Sequence, residues 1–594
     1  MLFEYIDAMK KLYISFLVTA GLLIAVYFFV RFYLQADIRN SGNKSSDSLQ
    51  ASVRNPDSTL DLRPLFIAKI QQLVNQGSNG LYTISINSMD IDLLRSRVVL
   101  QQVQLNHDTT VLRALDSLKK APDDVFLASF DTLKIDGINL DDVLTRKTID
   151  FSEIRMTGPT IEVYHTKRPY NARKNVDSIT LFARIMEKME SIAIGKLVIE
   201  KGTFISHNKA KKNKENILNN VELELTDILI DSSTEHAKDR FLFARQAFFS
   251  LKNYEMRTAD NVYLLKIGLL TVRAPQQTVT IDNLTFASRY NRQQFQKKLL
   301  RQKEQYDFSA PKITLQNIDW WTFMQEDLLI ADELVMPDAR LKIHLDRSLP
   351  REISKMGNFP QQVLMKLPIR VDVKAAKIRN MDVTYQEYNP ISTQTGSINF
   401  NHMNLHVSDI TNIPSQLKNK KQTVVTGTAL FKNVPVKARF VFDLLNYKTG
   451  RFSSSLTTGS FEGKKMNDIA EPLGLLKIEE GTVKELNISI HGDEHQASGK
   501  VLMLYNNFKL SLYEKEKDEK GLDKKGLIGF FANTFVIKDD NPSKNEPARN
   551  PPAEFQRDPT AGFFNLVWKT ALTGILKTVG ANPKLAERKI ISKK

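Results

Sequence analysis

Residues 133–163 read LKIDGINLDDVLTRKTIDFSEIRMTGPTIEV, and residues 313–343 read ITLQNIDWWTFMQEDLLIADELVMPDARLKI. They align without a gap at an offset of 180. Ile135 falls on Leu315, Ile154 on Leu334, Met156 on Met336, Ile161 on Leu341 and Val163 on Ile343. The correspondence continues at an offset near 179, where Leu197, Ile199 and Phe204 fall on Ala376, Ile378 and Val383. A weaker relative of the unit is expected from Leu81. A repeat of this size means that one supersecondary unit has been used more than once.

Within the repeat and around it, apolar residues alternate with polar ones, the mark of strands with one greasy and one wet face. Leu486, Ile488 and Ile490 alternate in ELNISIH, and Val436, Ala438, Phe440 and Phe442 in VKARFVF. Strands of this kind suit antiparallel sheets with a solvated face. Helices are few: amphipathic ones are expected at 65–76, 176–191 and 290–305, the last one basic, besides the one near the end of the chain. Roughly 25–30 strands of ordinary length therefore need cover that helices cannot supply. Either sheets pack on each other, or one long sheet curls and keeps its greasy side for a ligand.

Composition narrows the classes. The chain has 594 residues, 83 Lys and Arg against 67 Asp and Glu, hence a net charge of +16, and no Cys. Disulfides, thiol nucleophiles and Cys-ligated metals are thereby excluded. Residues 12–30 read LYISFLVTAGLLIAVYFFV without a charge, long enough to span a bilayer core at roughly 20 residues. Leu12, Phe16, Leu22, Leu23 and Val30 are the expected membrane contacts of an uncleaved anchor. Flanking charges do not orient it. The expected organisation is an anchor at 1–35, a linker at 36–61 and a first β-rich repeat region with helices at 62–236. A connecting β region with the basic helix follows at 237–312, then a second β-rich region at 313–514. A mostly flexible linker at 515–561 and an amphipathic helix with a basic tail at 562–594 complete it.

Motifs of chemistry are weak. HGDEH at 491–495 matches an inverted zinc-protease spacing, but Gly492 and Asp493 read as a hairpin turn. HMNLH at 402–406 lies in an alternating run, where residues four apart stand about 13 Å apart and cannot share a metal. GSFEGKK at 459–465 lacks phosphate-loop spacing, and the acidic pairs Asp141-Asp142 and Glu479-Glu480 read as solvated loops. No catalytic residue, metal ligand or cofactor is expected. Nucleic acid is not an expected partner, because the cations are scattered without aromatic stacking platforms; an anionic lipid surface suits them better.

The single N-terminal anchor, the 135–163 unit of the form I-x-I-x-x-I-x-L … I-x-F-x-x-I-x-M … P-x-I-x-V, and the block EPLGLLKIEEGTVKELNISIHGDEHQASGKVLMLYNNFKLSLYEKE at 471–516 together resemble the AsmA-like proteins of Gram-negative envelopes, part of the bridge-like lipid-transfer group. The resemblance covers roughly residues 10–515 and rests on spacing and hydropathy more than on fixed residues. It implies an inner-membrane anchor, a periplasmic β-rich gutter, and a role in phospholipid passage or outer-membrane upkeep. It supplies no catalytic motif. The expected fold is thus mostly β: a transmembrane helix, then an elongated, curled antiparallel sheet with a few helices. Its groove would shelter acyl chains against Ile135, Ile161, Val163, Leu341, Ile343, Leu486, Ile488 and Ile490. A chain in such a trough avoids the cost of water, about 0.8 kcal/mol per methylene. Phe564, Trp568, Leu572 and Ile575 would touch a membrane or partner, or else close the sheet. The alternatives are a tethered β-sandwich scaffold binding envelope proteins or glycans, and a membrane-bound hydrolase.

Overall fold

The computed structural model describes residues 63–581, apart from 138–147, 172–190, 209–213, 518–522, 530–537 and isolated positions. The fold is mostly β, and the chain divides into two compact units: residues 1–254 with 268–279, and residues 255–267 with 280–594. The first contains α1 (Arg63–Gly77), β1 (Tyr82–Asp92), β2 (Arg97–His107), α2 (Thr109–Ser117), β3 (Asp124–Asp136), β4 (Thr148–Thr157), β5 (Thr160–His165), β6 (Ser191–Asn208), β7 (Lys214–Ile230) and most of β8 (Ala244–Arg257). The residues of β9 (Tyr263–Arg273) and β10 (Thr278–Ser288) divide between the units, so the separate connecting region expected at 237–312 is not a unit of its own.

The second unit continues with α3 (Arg292–Leu299), β11 (Gln305–Gln316), α4 (Trp320–Glu326), β12 (Leu328–Pro337), β13 (Arg340–Asp346), α5 (Pro360–Met365), β14 (Arg370–Asn389) and β15 (Gln394–Thr411). Then come β16 (Gln422–Phe431), β17 (Val434–Asp443), β18 (Phe452–Thr458), β19 (Phe461–Glu462), β20 (Leu476–Gly492) and β21 (Gln496–Leu512). The small hairpin β22 (Glu514–Lys517) and β23 (Asp523–Gly529), β24 (Pro552–Gln556) and α6 (Phe563–Val579) end the described chain.

Each unit carries one copy of the repeat, and the copies share their register. In the first, β4 and β5 are two halves of a broken strand lying between β3 and β6. Ile135 pairs with Ile154 and Ile154 with Leu197; Ala128 pairs with Ile161 and Ile161 with Phe204. In the second, β12 and β13 lie in the same way between β11 and β14. Leu315 pairs with Leu334 and Leu334 with Ala376; Phe308 pairs with Leu341 and Leu341 with Val383. These are the aligned positions at offsets of 180 and 179. The break in the strand falls at Gly158 (φ 61°) and at Asp338 (φ 54°), 180 residues apart. The irregularity between β6 and β7 at Gly202 recurs between β14 and β15 at Met381.

The sheets are mixed, which corrects the antiparallel expectation. Both β4 and β5 run parallel to β6, and both β12 and β13 run parallel to β14. A parallel neighbour requires a long crossover, and in the second copy residues 347–369, with α5, supply it. Period-two alternation cannot reveal this, because it has no direction. The stretch from Leu81 is not a third copy: β1 and β2 form a plain antiparallel hairpin, and β2 pairs antiparallel with β3.

The expected helix at 65–76 is α1. The one at 290–305 is shorter: α3 starts from an Asn291–Gln294 capping box and stops at left-handed Leu300, with β11 beginning at Gln305. The one at 176–191 lies outside the described residues, except Ser191, which begins β6. The anchor at 12–30, the linker at 36–61, Asp141-Asp142 and the tail beyond 581 also lie outside them. Among the described residues no helix is long and apolar enough to cross a membrane.

Residues 538–561 do not form a free tether, as their polar composition suggested. Tyr505 is fully buried, and its hydroxyl donates to Lys538 O (2.9 Å) and accepts from Arg549 Nη2 (2.9 Å). Asn541 Nδ2 donates to Met503 O (2.6 Å), and β24 pairs antiparallel with β21. The chain then enters α6, whose buried Leu576 and Val579 meet Leu486, Val501 and Met503. Nearer its start, Phe563, Leu566 and Ala571 meet Phe442, Phe452 and Ile490. The buried Thr570 and Thr578 hydroxyls donate to carbonyls one turn back, at Leu566 and Gly574, which satisfies polar groups that would otherwise be costly there. Gly574 permits the close approach: a Cβ there would stand 2.5 Å from Val501 Cγ2 and 3.0 Å from Ala553 Cβ. Gly574→Val is expected to destabilise the helix–sheet contact by about 1–3 kcal/mol, read as faster proteolytic cleavage of α6 and a lower urea midpoint.

Candidate functional site

The repeat presents one apolar face in each unit, and the two faces differ in cover. In the first copy Ile135, Ile161 and Val163 are 0%, 1% and 3% exposed, and Ile154, Met156 and Ile199 are also buried. In the second, the equivalent Leu315, Leu341, Ile343, Leu334, Met336 and Ile378 are all only half-buried. Met336, Leu341 and Ile378 pack against a small buried cluster, Ala310, Ala339 and Met381, together with Phe308, Ile313, Val383 and Met403. Same register and similar hydropathy thus give a sealed face once and an open one once. Ile154→Ala is expected to cost about 2–5 kcal/mol as a core truncation. Leu334→Ala at the matched position is expected to cost less than half as much, compared by urea unfolding of the full chain.

The remaining residues expected in a groove sit elsewhere. Leu486 and Ile490 are buried under α6, and Ile488 is packed between the same two clusters. The helix covers them at this end of the sheet. Leu572 and Ile575 pack on that core. Phe564 and Trp568 stay 68% and 47% exposed. The Phe564 ring stands edge-on to Phe440, 6.2 Å away, on the apolar face of β17.

Polar side chains interrupt the open face at one end. Along β13 the alternation Leu341, Ile343, Leu345 leads to Arg347; along β14 Val383 and Tyr385 lead to Glu387. Arg347 Nη1 stands 2.8 Å from Glu387 Oε1, and the Tyr385 hydroxyl donates to Glu387 Oε2 at 2.6 Å. Burial and the neighbouring Glu387 push the Tyr385 phenol well above its usual range. Lys355 and Glu304 form a second pair at 2.5 Å. Lys569 of α6 belongs to the same neighbourhood. Burial, and then the Arg347 charge, lower its ammonium to about 8, against an opposing pull from Glu387. The first copy has Ser206 and Asn208 where the second has Tyr385 and Glu387. Arg347, Tyr385, Glu387 and Lys569 escaped the sequence reading. The available signal was a lone lysine inside the apolar run FFNLVWKTALTGIL, 563–576.

The motifs set aside in the sequence have structural roles. His491 is the next-to-last residue of β20, and Asp493 accepts the backbone N–H groups of His495 (2.8 Å) and Gln496 (3.1 Å) in the turn that follows. Glu479 and Glu480 are in strand β20, not in a loop, paired with Lys477 and Lys509. His402 and His406 are exposed on the polar side of β15. A cavity of about 740 Å³ near the β20–β21 turn is lined by Asp443, Arg451, His491, Asp493 and Glu554 among others. Its Asp493 carboxylate is already engaged by the turn.

No protein-family model matches this chain, and no curated protein matches it.

Proposed function

We propose that the chain is a non-enzymatic, membrane-anchored envelope protein whose open apolar face shelters lipid acyl chains, in phospholipid transport or outer-membrane upkeep. The single observation that carries the reading is the half-buried face of the second repeat copy. A register that builds a sealed core in one unit leaves leucine, isoleucine and methionine only partly covered in the other. Contiguous apolar surface of that kind is rare on soluble proteins without an occupant. A fatty acyl chain fits it because each methylene taken from water contributes about 0.8 kcal/mol and needs no polar recognition. The sheet is the proposed wall of a groove, and residues 12–30 are the proposed inner-membrane anchor of a periplasmic body.

The test is organic extraction and mass spectrometry of the full chain purified in mild detergent. Phospholipid retained at near-stoichiometric level is the expected result. A lipid-free protein that also fails to take up added phospholipid would overturn the proposal. The closed core under α6, with Phe564 and Trp568 exposed beside it, favours a second reading: a tethered scaffold that binds envelope proteins or glycans through this end.

A further inference from the structure

We propose that one end of the second unit's sheet, formed by residues 357–369, 412–421 and 444–451, docks on an anionic bilayer surface. Val363, Leu367 and Leu445 enter the headgroup layer, and Lys418, Lys421 and Lys448 meet the lipid phosphates. The inference goes beyond the acyl-chain reading and stands without it.

Three observations converge. First, hydrogen bonds join the three segments into one surface. Asn412 Nδ2 donates to Ile369 O (2.7 Å), and its Oδ1 accepts the Val371 N–H (2.8 Å). The Leu444 N–H donates to Lys421 O (2.9 Å). From α5, Gln362 Nε2 donates to Lys448 O (3.2 Å) and Gln361 Nε2 to Arg451 O (3.1 Å). Second, these segments carry Lys366, Lys418, Lys420, Lys421, Lys448 and Arg451 and no Asp or Glu. Lys420 is taken by Asp372 at 2.6 Å. Among the described residues Lys418, Lys421, Lys448 and Arg451 form no ion pair. The carboxylates bordering the surface are engaged: Asp443 accepts from Asn446, and Glu494 from Arg557. Third, large apolar side chains stand out among these cations. Val363, Leu367 and Leu445 are 46%, 41% and 48% exposed.

The opposite end of the same sheet has neither property. There Asn389 Nδ2 reaches Pro472 O (2.7 Å) and Lys432 pairs with Asp468, so residues 389–394, 432–433 and 459–475 lie together. Their cations, Lys432, Lys464 and Lys465, are matched by Glu462, Asp468 and Glu471. None of the exposed large hydrophobics falls in these segments. Apolar tips ringed by cations suit an interface that is greasy within and anionic at its surface. An acidic protein or a nucleic acid would use the cations and leave the aliphatic tips in water.

The experiment holds the full chain in phosphatidylcholine nanodiscs and measures co-flotation with added vesicles. One set of vesicles is pure phosphatidylcholine, and the other contains roughly one-third phosphatidylglycerol. Wild type is expected to bind the anionic vesicles at least about 10-fold more tightly than the neutral ones, and less in high salt. The triple variant Lys418→Gln, Lys421→Gln, Lys448→Gln is expected to lose about 100-fold, at roughly fivefold per lysine near an anionic surface. Val363→Ser, Leu367→Ser and Leu445→Ser together keep every charge and are expected to lose about 10-fold or more. Lys437→Gln, Lys464→Gln and Lys465→Gln remove the same charge elsewhere on the unit and are expected to bind within about 3-fold of wild type. Circular dichroism controls for folding. Wild-type nanodiscs that ignore the anionic vesicles would overturn the proposal. So would equal losses in the two lysine triples, which would trace the attraction to net charge alone. Full binding by the serine triple would also overturn it and assign the surface to an acidic macromolecule.

Discussion

Leu341→Asp is expected to abolish uptake of acyl lipid while the protein stays folded. Leu341 lies between Phe308 on β11 and Val383 on β14, at the middle of the open face, and is half-buried. A carboxylate there holds a shell of water against which methylenes cannot lie. Displacing three or four methylenes costs about 2.4–3.2 kcal/mol, roughly a 60- to 200-fold loss of affinity. Because the leucine is not a sealed core residue, the fold tolerates the change better than it would at Ile161, the same register position in the first copy, which is 1% exposed. Lys342→Asp, one residue along and exposed on the other face, reverses a charge and is expected to bind lipid within about 3-fold of wild type. Leu341→Ala, which leaves the surface apolar, should also bind. Titration with a fluorescent phospholipid reads all three variants, with circular dichroism as the fold control. Equal loss in Leu341→Asp and Lys342→Asp would remove the argument from the apolar face.

Arg557→Ala is expected to destabilise the second unit by about 3–5 kcal/mol, the cost of stranding the partner of a buried ion pair. The Arg557 side chain is 1% exposed and that of Glu494 10%, with Nη1 3.4 Å from Oε1. The remaining guanidinium donors reach Glu494 O (3.2 Å), Lys355 O (2.9 Å) and Ala561 O (3.0 Å), and the group lies 4.3 Å from the Phe359 ring. Glu494 also accepts from the Gly357 backbone N–H and from Gln362 Nε2. One cation thus ties the β20–β21 turn, the crossover near Lys355 and the approach to α6. Burial lowers the guanidinium pKa, and Glu494 opposes that shift. Arg557→Lys keeps the charge but not the planar fork of donors, so it is expected to recover less than half the loss. Combining Arg557→Ala with Glu494→Gln removes the stranded charge. The double variant is expected to be more stable than the sum of the singles by about 1–3 kcal/mol. Urea unfolding measures the set, and strict additivity would show that the two side chains do not act together.

These two residues mark the limit of what a single sequence displays. The repeat was legible because its cause is local. Side chains alternate across a strand every two residues, so a shared apolar register survives as a shared spacing even with little identity. The broken strand was present as Gly158-Pro159 and Asp338-Ala339, though its geometry was not. The Glu494–Arg557 latch left no local trace: its members are 63 residues apart, and each sits in a polar stretch. The same polarity made 538–561 read as a tether, although Asn541, Arg549 and Arg557 are polar because they satisfy buried carbonyls and a carboxylate. Composition counts polar atoms and does not record whether their partners are water or protein.

By itself the sequence determined that this chain builds strands with one greasy face, that a unit of them occurs twice in one register, and that no cysteine chemistry is available to it. Only the tertiary structure decided which strands run parallel, which copy of the face is sealed and which is only partly covered, and that Glu387 holds both Arg347 and Tyr385. Hydropathy is a property of each residue, whereas direction, cover and charge balance belong to segments brought together across hundreds of positions.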